Sequence, residues 1–314
     1  MKSRVHPRYK TKYHVQNWAS YDRALVRRGD ITIWLSPAAI AAWEPDAAGT
    51  RGAQRKYSDL AIEAALTLRL LFHLPLRQAE GFLTSLFGLM GLDLRVPDHT
   101  TLSRRGQSLD LPLRGRPKRG GLQLIIDSTG LSIVGAGEWA AAKHGGRGTR
   151  GWKKLHLGVD PTGVIVAHAL TDATSDDATT GVALIEAVSG SLTRVTADPA
   201  YDTVGFYEAA GARGARVVVP PTKTARVSRR RPRSRARDRT ITQVKRLGRR
   251  RWKQTSRYHQ HARVENTFFR YKSIIGTGLR ARTAGGRTVE ALLGCNLLNA
   301  MTHMGRPASY AIGR

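Results

Sequence analysis

The chain has 314 residues, 41% of them hydrophobic, which is enough to build a buried core and argues against a disordered chain. Its 52 Lys and Arg outnumber 23 Asp and Glu to give a formal charge of +29. Such a field favours a polyanionic partner, with nucleic acid first, an anionic membrane surface second and mere solubility as the plain alternative.

The lone Cys295 lies in an apolar stretch without a disulfide partner, which suits a reducing compartment. No signal-like h-region follows the first residues and no apolar run reaches spanning length, so a soluble cytoplasmic protein is expected. Residues 1–55 read as a basic N-terminal arm, in which Tyr9, Lys10, Lys12 and Tyr13 interleave aromatics and bases, followed by a short helical stretch from Pro37 to Trp43.

Residues 56–110 read as a helical DNA-binding domain. Ser58 caps a first helix with Leu60, Ala64, Leu68 and Leu71 on one face, a second runs from Leu76 to about Met90, and Asp98 caps a third, Thr100 to Arg105. A hydroxyl-rich last helix ending in Arg104 and Arg105 suits a helix-turn-helix-like unit that offers both guanidinium groups to DNA; the plainer reading is a helical bundle with a solvated basic end. Pro112, Pro117, Lys118 and Arg119 mark residues 111–121 as a linker.

From residue 122 the pattern becomes strand-like. Leu122 to Ile126 is a continuous apolar run, a strand covered on both faces, and it ends at Asp127 with Ser128 and Thr129 beside it. Leu155–Asp160 and Val164–His168 flank Pro161-Thr-Gly163 as a hairpin. Lys153, Lys154 and His156 alternate on its first strand, where they either hold a phosphate or face solvent.

Asp176 to Ser189 reads as a crossover helix, with Asp176 and Asp177 as its caps, leading to a strand from Arg194 to Asp198. A right-handed crossover lays that strand parallel to the Asp127 strand at roughly 4.8 Å, near enough for Asp127 and Asp198 to share a metal ion. Asp202 is a rival acid; Asp198 is preferred because it ends the apolar strand directly. The helix Val204–Ala212 and the strand Arg216–Pro220 finish the first part of the core, residues 122–221.

Residues 222–257 hold 16 Lys and Arg against one acid, Asp238, and read as a basic insertion or arm along phosphates, with Arg229, Arg230 and Arg231 as its densest cluster. Tyr258 to Lys272 reads as a helix with Tyr258, His261, Glu265, Phe268 and Lys272 on one face, and residues 258–314 supply the C-terminal helices that complete the core. Glu265 is either an ion-paired structural residue or a third ligand.

Taken together, Asn17-Trp18, Leu74–Gln78, Pro97–Arg105, Ile126–Gly130, Gly137–Trp139, Trp152–His156, Ala197–Asp202 and Tyr258–Lys272 resemble, in order, the IS5 family (IS903-like) of bacterial insertion-sequence transposases, members of the DDE superfamily. The resemblance implies an α/β fold: an RNase H-like catalytic core with a mixed sheet and flanking helices, preceded by a small helix-turn-helix-like region. It implies that Asp127, Asp198 and Glu265 are catalytic and hold two Mg²⁺ ions, with Mn²⁺ as a substitute. It further implies cleavage at the terminal inverted repeats of an insertion sequence and joining of the 3′-hydroxyl ends to target DNA.

Tyr258 and Lys272 match the family's helix signature as DNA contacts, whereas His261 stands where the family has Arg and Pro199 where it usually has Gly. Double-stranded DNA is the implied partner, and joining two ends in one event implies a dimer or larger assembly. The alternative is a catalytically inactive DNA-binding protein derived from a transposase. His144-Gly-Gly-Arg147 superficially fits a tyrosine recombinase, a chance match in so Arg-rich a chain, and the histidines lack the Cys companions of a zinc site.

Overall fold

The chain opens with strand β1 (Lys12–Val15), helix α1 (Trp18–Arg27) and two short helices, α2 (Ile31–Trp34) and α3 (Pro37–Ala41). The computed structural model describes residues 12–45, 55–115, 120–134, 151–228, 231 and 233–312. Tyr9, Lys10, Pro117 to Arg119, Gly137 to Trp139, His144 to Arg147, Arg229 and Arg230 lie outside these described residues. The segment read from its polarity as an arm thus carries helices from Trp18 onward, because Trp34, Leu35 and Trp43 are buried and anchor it. Asp30 and Ser36 fix where α2 and α3 start by accepting hydrogen bonds from the N–H groups of Thr32 and Ala39.

Helices α4 (Asp59–Leu71), α5 (Leu76–Leu89) and α6 (His99–Arg105) stand where their periodicity places them. Ser58 Oγ accepts from the Ala61 N–H at 3.0 Å, and Asp98 Oδ1 accepts from those of Thr100 and Thr101 at 2.8 Å each. The Thr100 hydroxyl, together with these N–H groups, holds the Asp98 carboxyl well below the usual carboxylate range. One apolar cluster runs from Trp34 and Leu68 through Ile125 and Leu155 to Cys295, so these helices share a core with the sheet. Between them, residues 111–115 are tied down: Asn296 Oδ1 accepts from the Arg114 N–H at 2.7 Å, and Arg114 pairs with Glu63 at 2.6 Å.

The main sheet comprises β2 (Leu122–Ile133), β3 (Trp152–Val159), β4 (Ile165–Asp172), β5 (Leu192–Thr196) and β6 (Arg216–Val218), in the order β4-β3-β2-β5-β6, with the two-residue β7 (Gly278–Leu279) beside the end of β2. β2, β3 and β4 are antiparallel, whereas β5 lies parallel to β2 and β6 parallel to β5. A mixed sheet of this order, flanked by helices, is consistent with the expected RNase H-like core. Asp127 does not end its strand as expected. β2 continues to Ile133, because Ser128 pairs with His156 and Gly130 with Lys154 across the ladder, so the backbone stays bonded although the side chains turn polar.

Helices α7 (Asp177–Ala187) and α8 (Val204–Ala212) cover one face, where Leu124, Ile126 and Val195 meet Leu184 and Phe206. Two basic helices follow, α9 (Arg235–Leu247) and α10 (Arg249–Thr255), within the stretch read as an insertion or arm. The other face is closed by α11 (Ala262–Ile274) and the long α12 (Ala284–Met304), before β8 (Ser309–Ile312) pairs antiparallel with β1. Among the described residues no helix is long and apolar enough to cross a membrane.

Gly181 lets α7 seat closely. A Cβ there would come within 2.8 Å of the rings of Tyr201 and Phe206. Although Ala favours a helix over Gly by about 1 kcal/mol, Gly181→Ala is expected to lower stability by about 1–3 kcal/mol through overpacking. Urea denaturation measures it, and a gain in stability would show that the two rings yield.

Candidate active site

Asp127 enters the site from the middle of β2, half-buried, its Oδ1 accepting the Ser128 N–H at 2.8 Å. Asp198 follows β5 and begins the 3₁₀ turn Pro199–Tyr201 by accepting the Ala200 N–H at 2.9 Å. Its extended backbone, φ −78° and ψ 176°, is the conformation favoured before proline, and Pro199 fills a first-turn position where no N–H is needed. Proline in place of the family's usual glycine is therefore compatible with presenting Asp198.

Glu265 arrives from the first turn of α11. The helix expected from Tyr258 to Lys272 is broken: Tyr258–His261 is a 3₁₀ turn and only then does the α-helix begin. Because a 3₁₀ turn holds about 3.0 residues and not 3.6, the expected single face splits. His261 is buried at 4% exposure, while the Glu265 side chain is 64% exposed. The two still meet, Nδ1 to Oε1 at 3.3 Å, and the His261 ring stacks on Tyr258 with centroids 5.3 Å apart.

The electrostatics place the three carboxylates in one neighbourhood. Burial pushes the Asp127 carboxyl up to about 6, opposed by the Ser128 N–H and by His261, and reinforced by the negative charges of Asp198 and Glu265. Burial likewise raises Asp198, with Asp177 adding to the effect. The Tyr258 hydroxyl is raised by burial and then by Asp198, Glu265 and Asp127 together.

A family model described as a transposase DDE domain matches residues 118–301, and a second of the same description matches residues 26–136. The chain belongs to the DDE transposase family. No solved structure matches it. As a DDE transposase it belongs among proteins that act on DNA and typically use divalent metal ions.

The donor set can be tested against such an ion. Among the described residues, no three His, Cys, Asp or Glu side chains close on one point tightly enough to chelate a single ion. Hard divalent cations such as Mg²⁺, however, are commonly held by one or two carboxylates plus waters and substrate phosphates. Asp127 and Asp198 are both raised by burial, Asp127 further by the charges of Asp198 and Glu265 and Asp198 by that of Asp177, and carboxylates so placed are what such a cation relieves. The residues fit.

Asp177, read from the sequence as a helix cap, is instead a further acid in this neighbourhood, its charge acting on Asp198. Asp176 caps α7 by accepting the Thr179 N–H at 2.7 Å, leaving Asp177 for another role. Its Oδ1 accepts the Ser128 hydroxyl at 3.0 Å, and its Oδ2 lies 3.3 Å from Lys154 Nζ, which also donates to the Ser175 carbonyl at 2.9 Å. Two adjacent acids at a helix start were the only signal, since the pairing with β2 and β3 exists only in three dimensions.

The expected phosphate contacts fare differently. Lys153 is paired with Asp172, and Lys154 is committed to Asp177. His156 is fully buried and shares a 2.8 Å hydrogen bond with Thr171, because its side of β3 is covered by α7; it does not face solvent as a phosphate contact must. Arg105 is half-buried and joins α6 to α4 through the Tyr57 carbonyl at 3.0 Å and Asp59, whereas Arg104 and Arg231 are exposed. Lys272 lies half-buried in the last turn of α11. Asp202, the rival acid, has a side chain 0% exposed and paired with Arg237 at 2.8 Å, so it is engaged elsewhere.

Proposed function

We propose that the chain is an IS5-family DNA transposase that binds the terminal inverted repeats of its insertion sequence, cuts them and joins the freed 3′-hydroxyls to target DNA. Asp127, Asp198 and Glu265 would hold two Mg²⁺ ions, or Mn²⁺ in their place. The observation that carries this reading is the convergence of carboxylates from the end of β5 and from α11 on Asp127 in β2, whose carboxyl their charges push up.

When bound, the ions supply Lewis acidity to the attacking and leaving oxygens of an in-line displacement at phosphorus. The chain's own residues do the positioning. Ser128 fixes Asp127 through its N–H and reaches Asp177 through its hydroxyl. His261 orients Glu265, and Tyr258, braced by the His261 ring and by Lys253 Nζ 4.9 Å above its face, walls the site. Arg104, Arg231, Tyr258 and Lys272 are proposed to contact DNA.

The test incubates purified protein with a duplex bearing the element's own ends. Nicks with 3′-hydroxyls at the repeat boundary are expected with Mg²⁺ and are abolished by EDTA. Binding without cleavage in Mg²⁺ and in Mn²⁺ would instead establish the inactive, DNA-binding derivative.

A further inference from the structure

The outward face of α9 takes no part in the carboxylate cluster, yet it is strongly organised. Ser234 caps the helix, and Thr240 and Ile241 are buried along its inner side. Also on that side, Arg237 grips Asp202 with Nε to Oδ1 at 2.8 Å and Nη2 to Oδ2 at 3.0 Å. Asp202 directly follows the turn that Asp198 begins, so this bidentate pair fixes α9 relative to the catalytic acid. Arg249 adds a second tether, donating to the Pro221 carbonyl at 2.8 Å.

Opposite these anchors, Arg235, Arg239, Thr242 and Arg246 recur at spacings of four, three and four, and all are exposed. With Arg233, Gln243 and Val227 they line an open concavity of about 510 Å³. Four guanidinium groups face it against a single acid, Asp238, which is itself buried, accepts the Ser228 N–H at 2.9 Å and pairs with Arg233 at 3.9 Å. Asp238 offsets Arg233, which leaves Arg235, Arg239 and Arg246 as like charges on one helix face that an anion filling the space would stabilise.

We propose that this stripe holds the sugar-phosphate backbone of target DNA without regard to its sequence, a proposal that rests on the reading of the chain as an active transposase. At about 1.5 Å per residue, Arg235 to Arg246 spans roughly 16 Å. One strand of B-DNA presents a phosphate about every 3.4 Å along its axis, so some five phosphates run past the stripe. Planar guanidinium forks match phosphate oxygens, and Thr and Gln side chains donate to them as well. Phosphate contacts carry no base information, which disqualifies the stripe as the reader of terminal repeats but suits a duplex that must be accepted broadly. The Arg237–Asp202 link then sets that duplex at a constant distance from Asp198.

The experiment compares wild type, Arg235→Gln/Arg239→Gln/Arg246→Gln and the matching triple Lys variant, each first saturated with a terminal-repeat duplex and then offered a labelled random-sequence duplex across a salt series. The loaded wild type is expected to capture the second duplex. The Gln variant should capture it roughly tenfold more weakly, with a log–log salt slope smaller by about 3, and the Lys variant should keep the slope.

An unchanged slope in the Gln variant overturns the proposal. So does an equal loss in the Lys variant, which would report damage to the helix and not lost charge. Blocking of the random duplex by the terminal-repeat duplex in wild type also overturns it, since the ends would then occupy the stripe. If the wild type shows neither preference for terminal repeats nor cleavage with Mg²⁺, the transposase reading fails, while the salt slopes on random duplex still decide whether the stripe binds a backbone.

Discussion

Changing Asp127 to Asn is expected to lower Mg²⁺-dependent strand cleavage by about a thousandfold or more and, in EDTA at pH 7.5, to raise the melting temperature. The two effects have one cause. Burial lifts the Asp127 carboxyl from its ordinary 3.8 to about 6, with Asp198 and Glu265 adding to the rise. The folded chain therefore binds this proton more tightly than the unfolded chain does. The contribution to stability is complete below 3.8 and is lost as pH climbs through 6, so above that window the folded protein carries an ionised group it would shed without a cation.

Asn removes the charge, relieves the fold and deletes the proposed ligand. Asp198→Asn should follow the same pattern, because burial raises that carboxyl as well. Glu265→Gln should match the catalytic loss with little change in melting temperature, since its side chain is 64% exposed and pays little desolvation. Cleavage assays paired with thermal melts in EDTA check the set. Variants that cleave as well as wild type sink the triad, and a destabilised Asp127→Asn would mark that carboxylate as structural.

The largest stability effect is expected at the rival acid. Asp202→Ala leaves the Arg237 guanidinium, 14% exposed, facing a void where a fully buried carboxylate accepted two hydrogen bonds, and it strips the Thr222 N–H of its acceptor at 3.0 Å. Breaking one side of a buried pair costs about 3–5 kcal/mol, because the orphaned charge is worse than no charge. In a chain of this size that is roughly 10 °C in melting temperature. The double variant Asp202→Leu/Arg237→Met should recover most of the loss, as apolar replacements of both partners commonly do. Equal instability of the single and double variants, read by calorimetry, would refute this account.

Much of the fold was legible in the sequence, and the misses share a physical origin. The apolar run Leu122–Ile126, the Pro-Thr-Gly turn at 161–163 and the Asp176 cap announce β2, the β3–β4 hairpin and α7, because strand burial, turn geometry and capping are local. The parallel approach of β5 to β2 followed from crossover handedness alone, and Gln123 indeed pairs with Arg194. What stayed hidden depends on partners distant in the chain.

Helices α1, α9 and α10 lie in stretches whose charge masks a thin buried face, such as Thr240, Ile241 and Trp252. Lys154 looked available for phosphate because Asp177 is remote in sequence, and Asp202 stood as a rival to the preferred Asp198 because Arg237 is farther still. The 3₁₀ turn ahead of α11 has a local mark only in retrospect: Arg257, just before it, adopts the left-handed region at φ 57°, which no spacing rule reveals.

The sheet topology also sets the order in which the three carboxylates come together. Asp127 and Asp198 are carried by elements close in the chain, β2 and the end of β5, with the β3–β4 hairpin and α7 between them. Glu265 must wait for the long basic stretch to be made, and α12, which backs the helix that carries it, comes later still. At roughly 5–20 residues per second of synthesis, a nascent chain spends several seconds with two acids in place and the third absent. On the proposed triad, the fold thereby builds in a delay between the appearance of a positively charged chain and the assembly of all three carboxylates.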